Sequence, residues 1–142
     1  MWADTLLNAE RGYVARTIVW AALSVVSGTT LAVLLAARRI RSPLLSQFAL
    51  QLVGLGLVVV AVGALEWQGL HLRDLAGATR LERVTWMRVG FDAGIVGMGA
   101  VLTGAARLLG RSARGLGAGA GLALQGVALL VLDLQFAAAI AR

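Results

Sequence analysis

Cysteine and lysine are both missing from this chain, histidine and proline occur once each, and only seven residues are acidic. Without cysteine there can be no disulfide, no zinc–thiolate centre and no thiol nucleophile. A single histidine, His71, leaves little for metal or haem ligation within one subunit, so neither metal nor cofactor is expected. Charged residues make up 14% of the chain, too little polar surface to wrap a water-soluble core. There is no HExxH, no glycine-rich phosphate loop after a strand and no Ser/His/Asp set, so the sequence gives no ground for an enzyme. The opening residues lack a basic region, and a cleavable leader is not expected.

Apolar sequence is abundant instead. Hydrophobic residues account for 59% of the 142 residues, and the mean hydropathy is +0.84. The solvent this composition suits is a bilayer. Uncharged runs cover residues 17–37, 42–65 and 115–132, each long enough to cross a hydrocarbon core of about 30 Å as a helix. A fourth run, 93–106, is too short alone and must take in charged neighbours. The expected spans are therefore about 14–37, 43–68, 86–108 and 114–138. Residues 1–13 read as a short amphipathic lead-in with Trp2, Leu6, Leu7 and Tyr13 on its apolar side, and Pro43 suits a helix start. The predicted fold is all-α: a polytopic membrane protein, a single four-helix transmembrane bundle.

Charge is distributed unevenly over these spans. The acids Asp4, Glu10, Glu66, Asp74, Glu82, Asp92 and Asp133 fall toward one side. The other side has only arginine: Arg38, Arg39, Arg41, Arg107, Arg111 and Arg114. The positive-inside rule then puts both arginine turns in the cytoplasm and both termini outside an inner membrane. Trp2, Trp20, Trp67 and Trp86 all map to the outer half, where an aromatic belt is expected. The formal charge of +6 comes from dispersed arginines, which suit lipid headgroups rather than nucleic acid.

The two halves echo each other. Glu10-Arg11 followed by Arg16 matches Glu82-Arg83 followed by Arg88, and Leu-Glu-Trp-Gln at 65–68 matches Leu-Asp-Leu-Gln at 132–135. Two tandem hairpins related by a pseudo-twofold along the membrane normal would give this pattern. Small residues are expected at helix contacts, because lipid gives helices no hydrophobic drive to associate. The candidates are Ser24, Gly28 and Ala32 on the first span, Gly90 and Gly94 on the third, and two pairs on the fourth, Gly115 with Gly119 and Gly117 with Gly121.

Measured from Arg107 by helix rise, Asp92 lies about 22 Å away, inside the hydrocarbon on the acidic side, with Arg88 one turn beyond. Arg16, Glu66, Arg88, Asp92 and Asp133 should converge there as one ionic layer. The repeat suggests pairing Arg16 with Glu66 and Arg88 with Asp133. Gln51 and Gln125 are candidate interhelical hydrogen-bond partners, and Gln68 and Gln135 should join the layer if their helices run straight. His71 reads as a solvated loop residue, and residues 70–82 fit either an interfacial helix or a loop.

The expected partners are the bilayer and either further copies of the chain or another membrane protein. Two functions fit: a non-enzymatic accessory or assembly subunit with a structural ionic layer, or an oligomeric transporter or channel that couples a proton or cation through Asp92 or Asp133.

Overall fold

The computed structural model describes residues 2–110 and 112–141, the side chain of Trp2 excepted. Arg111 of the second arginine turn and the Trp2 indole of the expected belt lie outside the described residues. Four helices follow in order: α1 (Trp2–Ala37), α2 (Pro43–Gln68), α3 (Leu75–Leu108) and α4 (Ala113–Ile140). All four are long and apolar enough to cross a membrane.

Local chemistry starts and stops them. The Ser42 hydroxyl accepts from the Leu45 amide at 3.3 Å, with Pro43 opening α2 behind it. Asp74 Oδ1 accepts from the Gly77 amide at 2.7 Å, and Ser112 Oγ from the Gly115 amide at 3.2 Å. Each cap satisfies a donor that the first helical turn leaves free. At the end of α1, the Ile40 amide reaches back to the Leu35 carbonyl at 2.9 Å. Arg39 takes the left-handed conformation there, with φ 52, a place usually given to glycine.

Helix lengths depart from the expected spans. At 36 residues, α1 is about 54 Å long, and the amphipathic lead-in is simply its first turns. At 34 residues, α3 is about 51 Å long, because residues 75–85 are helical and continuous with it. Only residues 69–74 remain as a connection. Both helices overshoot at the end where the termini lie. There Tyr13, Val14, Leu81 and Phe136 form a small core, joined by Leu6, Ala9, Leu70 and Ile140.

Two antiparallel hairpins, α1–α2 and α3–α4, lie side by side. Along their backbones α4 packs on α3, α2 and α1, whereas α3 approaches neither α1 nor α2. Two sets of glycines explain the central place of α4. Gly117 and Gly121 sit against Leu44 and Gln51 of α2, whereas Gly115, Gly119 and Gly126 sit against Ala106, Thr103 and Val96 of α3. Residues two apart on a helix point in nearly opposite directions, so alternating glycines open both sides of α4 to a close neighbour.

The expected small-residue stripes hold in part. Ser24 and Gly28 are buried, and a Cβ at Gly28 would stand 2.8 Å from the Ala49 carbonyl. Ala32 is exposed, as are Gly90 and Gly94, which have nothing within 4 Å of a Cβ position. A strict four-residue step drifts about 40° around a helix each time, because a turn holds 3.6 residues. The inward stripes instead alternate steps of three and four: Val14, Thr17, Ala21, Ser24 and Gly28 on α1, and Leu81, Thr85, the half-buried Arg88, Asp92, Ile95 and Gly99 on α3. That is the seam of a left-handed bundle.

Candidate functional site

The same seams carry the polar side chains inward. Tyr13 on α1, Glu66 on α2, Arg88 and Asp92 on α3 and Asp133 on α4 meet near the end that carries the termini. Each helix therefore contributes. The Tyr13 hydroxyl donates to Asp133 Oδ1 at 2.5 Å. Arg88 donates Nη1 to the Tyr13 oxygen at 3.4 Å, and its Nη2 forms an ion pair with Glu66 Oε1. The guanidinium carbon stands 5.9 Å from the centre of the Tyr13 ring, within cation–π range. That ring also stacks on Phe136, with centroids 4.5 Å apart. Tyr13 is thus fixed by a ring, a carboxylate and a cation together.

Asp92 and Asp133 are 6% and 3% exposed and line the same groove. Among the described residues no buried side-chain nitrogen or oxygen lacks a partner.

Of the five residues expected in the layer, four come together and Arg16 does not. Arg16 lies on the exposed side of α1, and its Nε donates to the Gly12 carbonyl at 3.2 Å. Glu66 pairs with Arg88 instead of Arg16. One hundred degrees per residue decides this: Arg16 is three positions past Tyr13 but one short of Thr17, just off the seam. Gln68 and Gln135 are both exposed and stay outside the layer. Gln125, 1% exposed, accepts from the Trp20 indole at 2.9 Å and donates to the Leu52 carbonyl at 3.5 Å. It ties α4 to α1 and α2 deeper in the bundle. Gln51 lays its stem against Gly121. His71 is an exposed loop residue whose Nδ1 lies 2.7 Å from the Gly69 carbonyl.

Two features were not expected from the sequence. Tyr13 is the hub, and a second ion pair joins Arg73 of the connecting loop to Glu10 of α1 through contacts of 2.6 and 3.1 Å. That fork holds the Arg73 guanidinium above its ordinary range. A signal for the first was available: Glu10, Tyr13, Thr17, Trp20 and Ser24 are all polar-tipped and follow the three–four spacing of the seam.

Two cavities flank the layer. One, of about 180 Å³, is lined by Glu10, Glu66, Arg73, Arg80 and Arg88, with Tyr13 at its base. The other, of about 260 Å³, is a mostly apolar groove between α2 and α3 and is the one that reaches Asp92 and Asp133.

No curated protein and no solved structure matches this chain. Residues 16–134 match a family of unknown function, DUF6992. The matched stretch takes in Glu66, Arg88, Asp92, Gln125 and Asp133, and on that coverage the chain belongs to the DUF6992 family.

Proposed function

We propose that this chain is a non-enzymatic subunit of the cytoplasmic membrane, an accessory or assembly component whose polar layer is structural. Its termini face outside and its arginine turns face the cytoplasm, in keeping with the positive-inside rule. One observation carries the reading: the layer draws a side chain from every helix, and α3, which approaches neither α1 nor α2 along its backbone, is tied to both through Arg88. Such a network fixes helix rotation and depth, a recognised use of intramembrane polar groups. The polar cavity supports it too, because its lining stops at Tyr13, Glu66 and Arg88 and leaves out both aspartates. The connections between the four helices are short, which leaves the helix surfaces within the bilayer as the natural place for contacts.

The test is purification of the full-length protein in mild detergent with identification of what copurifies. A stable membrane-protein partner, retained less well by Glu66→Gln, is the expected result. A clean homo-oligomer with no partner, undisturbed by Glu66→Gln, would contradict the reading.

A second reading has its own observation, two buried carboxyls, Asp92 and Asp133, lining one groove. An oligomeric transporter would use that carboxyl pair to couple a proton or cation. Asp92→Asn would then abolish ion-dependent flux in proteoliposomes while leaving the melting temperature unchanged. In a structural layer the same change lowers the melting temperature.

A further inference from the structure

We propose that the groove between α2 and α3 binds a single-chain amphiphile with a protonated amine head. Its walls are Leu55, Val59 and Val62 on α2 and Phe91 and Ile95 on α3, with Leu129 of α4 at its floor. It is open to the side, since Phe91 is 71% exposed and Val62 48%, so its entrance faces lipid. Apolar walls that lead to a small polar group are the usual make-up of a ligand site.

Charge selects the head. Three carboxyls line the groove, Glu66, Asp92 and Asp133, against the one guanidinium of Arg88. Arg88 is engaged by Glu66, so among the described residues the aspartate pair forms no ion pair of its own. Inside a bilayer that imbalance calls for a proton or a bound cation. Among the described residues no three acidic or histidine side chains converge as a metal ion would need. An alkylammonium fits better: it brings donors for two carboxyls and a chain for the apolar walls, and the exposed Phe91 ring beside them suits a cation. The Arg88–Glu66 pair spans α3 and α2 at the same end, so the head would enter from the membrane side.

The inference concerns binding and not transport. Binding without flux leaves it standing and counts against the second reading above, whereas flux without binding overturns it.

The experiment uses full-length protein in phosphatidylcholine nanodiscs, with equilibrium dialysis of decylammonium, decanoate and decanol against empty discs. Decylammonium should show saturable binding of about one per chain above the empty-disc background, and the other two should not. Val59→Trp, which fills the groove without touching a charge, should abolish the saturable component, and Asp92→Asn should weaken it at least tenfold. Absence of saturable binding, equal binding of decanol or decanoate, or full binding by Val59→Trp would each overturn the proposal.

Discussion

Tyr13 and Gln125 show how much of this bundle's order depends on single polar atoms. A hydroxyl on α1 satisfies a carboxylate on α4, and an amide on α4 satisfies an indole on α1. Tyr13→Phe keeps the ring stack on Phe136 but removes the donor to Asp133. Loss of one partner from a buried hydrogen bond costs about 1–3 kcal/mol, to be read as a lower melting temperature in detergent. Gln125→Leu strands the Trp20 N–H and should cost less, about 0.6 kcal/mol, the average for polar contacts between membrane helices. If Tyr13→Phe proved no more costly than Gln125→Leu, Tyr13 would not be the hub. The acids and Arg88 were legible as residues, because uncharged runs frame them and helix rise sets their depth. Their pairing was not. Pairing depends on rotation about each helix axis, where one position shifts a side chain by about 100°. Arg16 and Arg88 hold corresponding places in the two hairpins, yet one turns outward and the other bridges three helices.

For the helices as elements, glycines do two different jobs, and sequence spacing alone does not separate them. A Cβ at Gly99 would stand 2.5 Å from the Ala123 amide of α4, whereas one at Gly94 meets nothing within 4 Å. Gly99→Val should therefore push α3 off α4 and cost about 1–3 kcal/mol, as overpacking does. Gly94→Ala should stabilise by up to about 1 kcal/mol, because it removes only the entropic cost of glycine in a helix. Melting curves of the two variants, moving in opposite directions, check this. The expected stripes were drawn every fourth residue and so caught Ser24 and Gly28 but overran to Ala32. On α4 the four-residue spacing marks both Gly115 with Gly119 and Gly117 with Gly121, but only the packing shows that the first pair meets α3 and the second α2. The ends of α1 and α3 were missed for another reason. Hydropathy marks where a helix leaves the hydrocarbon, whereas the chain stays helical until a cap such as Asp74 or a turn ends it.

On the scale of the whole molecule, the class and number of the helices followed directly from long uncharged runs punctuated by charge, since only helices and closed barrels can span lipid. The orientation proposed from the arginine turns can be checked with a chain that has no cysteine of its own. Single cysteines at Ala76 and Ser112 should react oppositely to a membrane-impermeant maleimide on intact cells, Ala76→Cys labelled and Ser112→Cys protected. The reverse pattern would invert the topology. The arrangement of the helices was harder to foresee. Both hairpins have short turns, but the sequence does not tell that the α3 backbone comes close to α4 alone and leaves a groove beside α2. In that arrangement α3 is secured across the bundle by Arg88. The most direct measurement is thermal unfolding of the full-length protein in detergent for Glu66→Arg, Arg88→Glu and the two combined. The four-helix layer predicts that each reversal alone lowers the melting temperature and that the double reversal recovers a large part of the loss. Single reversals that melt together with the parent chain would contradict it.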